Sequence, residues 1–282
     1  STRKKVRVVI LYPKNKISDL QEKQLTCWGE SAMALAVRGN FDDCQRLVKT
    51  AFLSSKWQQK WELISANSIN LGRLLPQMVY YAGASIQFFE KRNRIADFII
   101  PTGNLGNAVA AFWAKEMGFP IGKIGLALNA NRTIANFLQS GQWHPVKSIA
   151  TLANAMDVGN ASNFERLREL YSDINTLRKV SVAVVATDEE ISESIHDTYL
   201  RYKYIICPHT ATAFNAQKKL GWHSPILVAT AHPAKFADIV LPLVKGSIPM
   251  PEQLKKILNL PTRKKVINAD LTEFAEAIEN KK

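Results

Sequence analysis

The run Pro101-Thr102-Gly103-Asn104-Leu105-Gly106-Asn107 lies between an apolar strand pattern and an apolar helix pattern, a position where a chain can hold an anion. Two glycines let the backbone approach a ligand, successive amide N–H groups can turn inward, and the following helix adds the positive end of its dipole. The same residues also suit a tight strand-to-helix turn with an asparagine cap. The spacing does not match the Gly-x-Gly-x-x-Gly of dinucleotide folds, nor the Gly-Lys-Ser/Thr ending of nucleoside triphosphate loops. A dinucleotide is therefore disfavoured.

A second place for chemistry is the end of the run Ile226-Leu227-Val228-Ala229, which passes into Thr230-Ala231-His232-Pro233-Ala234-Lys235-Phe236. Ligands of open α/β sheets bind beyond the carboxyl ends of the strands, so Thr230 and the glycine loop can face one crevice. By itself Thr230 also reads as a helix cap. Asn67, Ser68, Asn70 and Arg73 offer amides, a hydroxyl and a fixed positive fork suited to a carboxylate or phosphate, with a helix N-cap as the other reading of Ser68 and Asn70. His209 and His232 sit in turns beside proline or threonine and read as hydrogen-bonded structural histidines. No spacing of His, Cys or carboxylates suggests a metal site.

The elements that must position these groups alternate. Strands are expected at Val6 to Leu11, buried on both faces, and at Met33 to Val37, Phe98–Ile100, Ile124–Leu128, Val180–Val185 and Ile226–Ala229. Helices are expected from about Ser18, along the face Phe41, Cys44, Leu47, Val48 and Phe52, over Ile69 to Phe89 with a break near Pro76, and at roughly 105–117, 133–139, 188–202 and 210–220. Strands alternating with helices imply an α/β fold with mostly parallel sheets flanked by helices.

A chain of 282 residues with 46% hydrophobic content can bury at least one sizeable core, in one or two domains. No apolar run approaches the roughly 20 residues a bilayer span needs, and no apolar signal core follows the start, so a soluble, cytoplasmic protein without a membrane partner is expected. Cys27, Cys44 and Cys207 are odd in number and far apart, which suits a reducing compartment. The 37 basic against 24 acidic residues give a net charge of +13. Part of the excess sits at Arg3, Lys4, Lys5, at Arg263, Lys264, Lys265 and at Lys281, Lys282, with no basic stripe interleaved with aromatics, so a solvated basic surface is expected and not a nucleic-acid partner.

Several motifs in order resemble one family. They are Ile10-Leu11-Tyr12-Pro13 through Lys16-Ile17-Ser18, Gln21-Glu22-Lys23, Ser65-Ala66-Asn67-Ser68-Ile69-Asn70 with Arg73-Leu74, Gly103-Asn104-Leu105-Gly106-Asn107, Gly141-Gln142-Trp143, Asn154-Ala155-Met156-Asp157-Val158 and Thr230-Ala231-His232-Pro233-Ala234-Lys235-Phe236. The chain resembles the threonine synthases among the fold-type II pyridoxal-phosphate enzymes, of tryptophan synthase β-like architecture. The resemblance implies that pyridoxal 5'-phosphate is the cofactor and that O-phospho-L-homoserine and water give L-threonine and phosphate. It assigns Gly103, Asn104, Leu105, Gly106 and Asn107 to the cofactor phosphate and Thr230 to the pyridine nitrogen. Leu105 and Asn107 replace an aromatic and an acidic residue often seen in that loop, which backbone amides tolerate.

The family's Schiff-base lysine lies in a Thr-Phe-Lys-Asp type motif, absent here, as is a loop of the type Ser-Gly-Asp-Thr-Gly. No catalytic residue is therefore expected in this chain. Ser1 reads as a truncation point, and the missing N-terminal segment is expected as a partner, in cis or in trans. On the family pattern, residues 1–60 are the remainder of a smaller α/β subdomain and residues 61–282 the larger cofactor-binding domain. The competing readings are a non-catalytic binder of pyridoxal phosphate or another phosphorylated small molecule, and a related lyase such as threonine dehydratase. The Asn154 to Val158 and Thr230 to Lys235 motifs favour the synthase.

Overall fold

A computed structural model describes residues 6–279, which divide into two compact units. Ser1, Arg3, Lys4, Lys5, Lys281 and Lys282 lie outside the described residues. Among the described residues, no helix is long and apolar enough to cross a membrane, and no three His, Cys, Asp or Glu side chains gather as metal ligands would.

The first unit holds the described residues up to Ile64 together with those from Pro249 onward. Its parallel sheet has the order β1 (Val8–Pro13), β2 (Ala32–Arg38), β7 (Lys265–Asn268). Only the central strand β2 is buried on both faces, through Leu35, Ala36 and Val37. The expectation for β1 is corrected accordingly: it begins at Val8, among the described residues it lies at the edge of the sheet, and Val8 itself is exposed. Both flanking helices begin with capping boxes, Ser18 with Gln21 ahead of Asp19–Thr26, and Asn40 with Asp43 ahead of Phe41–Leu53. The second helix buries Cys44, Leu47 and Ala51, whereas Phe41, at its first position, is exposed.

Residues 249–279, which the family pattern placed in the larger domain, group with this unit. Lys265–Asn268 pairs with Leu35 to Arg38, and Phe274, Ala277 and Ile278 of helix Leu271–Glu279 share a core with Leu35, Val37 and Trp57. Lys264 and Arg263 are ion-paired with Glu22 and Glu30, so this basic cluster is partly neutralised.

The second unit runs from Ser65 to Ile248. Its four parallel strands are ordered β5 (Ser181–Val185), β4 (Ile121–Leu128), β3 (Ala96–Pro101), β6 (Ile226–Leu227). Alternate residues of β3 serve opposite faces, as the two-residue period of a strand requires. Phe98 and Ile100 join the core built on the alanine-rich helix Gly106–Glu116, while Ile99 and Ala127 meet Ala213 and Ala216 of helix Pro208–Leu220. Six consecutive-turn residues of the first helix, Ala108, Val109, Ala110, Ala111, Phe112 and Ala114, are fully buried. Small side chains let it lie close to the sheet, and its start is thereby fixed at the carboxyl end of β3. The break near Pro76 is a 3-10 turn, Leu75–Gln77, between helices Leu71–Leu74 and Met78–Arg92.

Candidate functional site

Strand β3 makes its last ladder contact where Thr102 N–H donates to Ala127 C=O at 2.9 Å. Gly103, Asn104 and Leu105 then lead into the helix, whose first bond runs from Val109 N–H to Leu105 C=O at 2.8 Å. Between those two bonds, the backbone N–H groups of residues 103–108 donate to no group among the described residues. Leu105, Gly106 and Ala108 are buried, and buried amides left unpaired are costly, about 1–3 kcal/mol each. Leu105 caps the helix in the left-handed region, φ 61° and ψ −6°, with no side-chain bond to help. For a non-glycine residue that geometry costs on the order of 1–3 kcal/mol and marks a place where the surroundings impose the backbone. Open amides at the positive end of an 11-residue helix make a receptor for an anion such as a phosphate group.

The loop is held from behind by a polar network. Asn104 Nδ2 donates to Ser68 Oγ at 2.9 Å, while its Oδ1 accepts from Ser162 N–H at 2.6 Å and Ser162 Oγ at 3.0 Å. Asn163 Nδ2 donates to Asn104 C=O at 2.9 Å, and Asn163 Oδ1 accepts from Arg166, which also reaches the carbonyls of Ser68 and Ile69. Tyr81 Oη donates to Asn107 Oδ1 at 2.5 Å. Burial raises the phenol's pKa, so Tyr81 stays a donor.

No side chain fits at either glycine without movement. A Cβ on Gly103 would lie 2.7 Å from Met156 Cα, and one on Gly106 would lie 3.1 Å from Ser68 Cβ. Asp157, next to Met156, is in turn held by a partly buried cluster at the end of β4. Asn129 Nδ2 donates to Asp157 Oδ1 (2.8 Å) and Thr151 Oγ1 (2.8 Å), and Asn131 Nδ2 donates to Ile149 C=O (3.0 Å). Thr151 Oγ1 also donates to Asp157 Oδ1 at 2.7 Å. Burial lifts the Asp157 carboxyl above its ordinary range, against the opposing effect of these donors.

Of the residues singled out by sequence, Gly103 to Asn107 form one loop and Ser68 comes against it. Thr230 lies three residues beyond Leu227 on β6, as Thr102 lies three beyond its partner Ile99 on β3, so both leave the sheet at its carboxyl edge. Thr230 is exposed, and its N–H donates to Thr210 Oγ1 at 3.4 Å. It is not a helix cap: His232 caps the next 3-10 turn, its Nδ1 accepting from Ala234 N–H at 3.2 Å. Asn70 is the N-cap of helix Leu71–Leu74, with its Oδ1 on Gly72 N–H and its Nδ2 on Ser65 C=O. Asn67 and Arg73 are exposed. Lys235 is half-buried.

Sequence reasoning missed Ser162, Asn163 and Arg166, which directly follow the Asn154 to Val158 motif and hold the loop. It read His209 as a hydrogen-bonded structural histidine without naming the partner, which is Ala155, whose N–H donates to the ring's Nε2 at 3.0 Å. A polar run in an apolar context was the available signal, but its partners are about 60 residues away in sequence and only the fold brings them together.

Comparison with known proteins places these features in a family setting. The family described as pyridoxal-phosphate dependent enzyme matches residues 1–227, and the one described as threonine synthase, C-terminal, matches residues 209–278. A threonine synthase of Buchnera aphidicola subsp. Schizaphis graminum is 38% identical over 283 residues, covering 97% of this chain and 64% of the relative. The crystal structure of threonine synthase from Escherichia coli superposes with a TM-score of 0.91 at 34% identity, covering 98% of this chain and 65% of that one. A PLP-bound threonine synthase from Brucella melitensis gives 0.85 at 29% identity, covering 100% and 67%. The chain thus spans about 64% of the length of the curated relatives it matches.

Proposed function

The chain belongs to the family of pyridoxal-phosphate-dependent enzymes, and on that footing we propose that it forms the larger part of a threonine synthase acting on O-phospho-L-homoserine and water to give L-threonine and phosphate. The observation that carries this reading is the run of open amides over residues 103–108, which fits a dianionic phosphate ester and leaves no room for a side chain at Gly103. Gly103, Asn104, Leu105, Gly106 and Asn107 would hold the cofactor phosphate, and Thr230 would meet the pyridine nitrogen.

When bound, pyridoxal phosphate supplies an electron sink for carbanions on the substrate. The chain's own residues orient it and set its protonation. Asn104, tied to Ser68 and Ser162, keeps the loop rigid before any ligand arrives, so little ordering entropy is lost on binding. A neutral hydroxyl at Thr230 would hold the ring nitrogen's proton less firmly than a carboxylate does. Asn70 is spent as a helix cap and Ser68 on the loop, which leaves Asn67 and Arg73 as donors for the substrate's carboxylate or phosphate.

The covalent lysine is assigned to no residue of this chain. On the resemblance it would come from an N-terminal segment outside this chain, acting in cis or in trans, and the relatives are longer than the stretch this chain matches. We place the protein in the cytoplasm, where the free thiols of Cys27, Cys44 and Cys207 remain reduced.

The test is a titration of the chain with pyridoxal phosphate, followed by cofactor fluorescence and repeated with inorganic phosphate as competitor. O-phospho-L-homoserine is then added with and without the N-terminal third of the Escherichia coli relative. Phosphate-sensitive cofactor binding is expected, with threonine formed only when the segment is present. Cofactor binding that ignores phosphate would remove the loop assignment, and formation of a keto acid in place of threonine would move the chain to the dehydratase type.

A further inference from the structure

The turn Cys207 to Thr210 touches two things at once, and that double contact has no role in the site as described so far. At one end, His209 is 4% exposed and its Nε2 accepts from Ala155 N–H at 3.0 Å. Ala155 precedes Met156, the residue whose backbone closes on Gly103. At the other end, Thr210 Oγ1 accepts from Thr230 N–H at 3.4 Å, while Thr210 is itself held by Cys207 Sγ, at 3.4 Å from its N–H and 3.2 Å from its hydroxyl. Adjacent residues in the first turn of one 13-residue helix therefore bear on the anion loop and on Thr230.

Building on the cofactor reading above, we propose that Cys207 to Thr210 is a spacer fixing the distance between the phosphate-binding loop and Thr230, with His209 as the positioning residue on the loop side. The imidazole is suited to this as a neutral acceptor. A hydrogen bond accepted at Nε2 places the ring's proton on Nδ1. The ring packs tilted on Phe236, centroids 4.6 Å apart, which holds its plane. Nδ1 has no hydrogen-bond partner among the described residues, so the bond to Ala155 is the hydrogen bond that the side chain contributes. The two contacts matter together because a cofactor with a phosphate at one end and a ring nitrogen at the other must meet both receptors at a set separation, and a small misplacement of either costs binding.

The experiment uses the whole 282-residue chain and two probes, inorganic phosphate and pyridoxal phosphate, with 15N NMR of the loop amides and the histidine rings. Wild type should show amide shifts over residues 103–108 on adding phosphate and an Nδ1-protonated His209. His209→Ala should weaken phosphate binding about fivefold to tenfold, the equivalent of losing one net hydrogen bond. His209→Gln, whose amide oxygen can take the Ala155 N–H, should restore affinity to within about twofold, as expected if one accepted hydrogen bond is the contribution. Thr210→Val should move the Thr230 amide resonance and leave phosphate affinity unchanged. Wild-type phosphate affinity in His209→Ala, no rescue by His209→Gln, or a proton on Nε2 would each overturn the proposal while leaving the loop assignment intact. Failure of wild type to bind phosphate at these amides would remove the loop assignment and this proposal together.

Discussion

Gly103 and Met156 are packed backbone against backbone, so that a β-carbon on the glycine would stand 2.7 Å from the methionine Cα and 2.8 Å from its carbonyl oxygen. Neither atom can move as a side chain could. Gly103→Ala is expected to destabilise the chain by about 1–3 kcal/mol through overpacking and to weaken phosphate binding. Gly106→Ala, which meets the Cβ of Ser68 at 3.1 Å, is expected to cost less in both. Urea unfolding and phosphate titration of the two variants would rank them, and the reverse order would show that the Met156 turn yields.

The Asn104 side chain makes one bond as donor and two as acceptor. Asn104→Ala leaves Ser162 N–H without its acceptor in a half-buried place, a loss of about 2–3 kcal/mol. Asn104→Asp keeps the acceptor but sets a negative charge beside the open amides, so it should retain more stability than the alanine variant and bind phosphate less well. Similar phosphate affinities for Asn104→Asp and wild type would argue that the anion sits elsewhere.

Burial lowers the His209 pKa from 6.5 to about 4. Between those values the unfolded chain binds more protons than the folded one, so this residue's contribution is complete above the unfolded value and is lost as pH falls toward the folded one. The size is on the order of 3 kcal/mol over the full window. The raised carboxyl of Asp157 acts in the opposite sense, losing stability as pH rises through its titration. Unfolding free energies of wild type and His209→Gln, compared from pH 7 down to 5, isolate the histidine part: the gap between them should change steadily in favour of the variant as pH falls.

Thr230 carries a hydroxyl three residues beyond Leu227, the β6 residue that pairs with Ile99 of β3. Thr230→Asp should strengthen protonation of a pyridine nitrogen placed there and shift the absorbance of bound pyridoxal phosphate, since a carboxylate stabilises the pyridinium form. Thr230→Val should weaken cofactor binding by about 1 kcal/mol. Spectrum and affinity unchanged in both variants would remove Thr230 from the site.

What the sequence revealed and what it hid divide along one physical line. The Gly103 to Asn107 loop was legible because its chemistry is local: glycines, a strand before and a helix after. The same is true of the Asp188–Tyr202 helix, whose bounds follow from a capping box at Thr187 and Glu190. Strand β7 was not legible, because Lys265-Val266-Ile267-Asn268 is four residues long, half polar, and buries only Ile267. Leu105 was read as an exchangeable loop residue, yet its side chain is fully buried in the main core. Asn163 and Arg166 act on residues far away in sequence, and no periodicity records such bonds.

The pairing of β2 with β7 has a consequence for the order in which the protein can be made. Strand β2 precedes every strand of the second unit in the chain, and its parallel neighbour β7 follows them all. The second unit can therefore complete its sheet while β2 still exposes one row of unpaired backbone groups, a template for association with other chains. A ribosome stalled before Lys265 would hold a finished unit and an unfinished one, and a chaperone that covers sheet edges would be needed by the unfinished one alone.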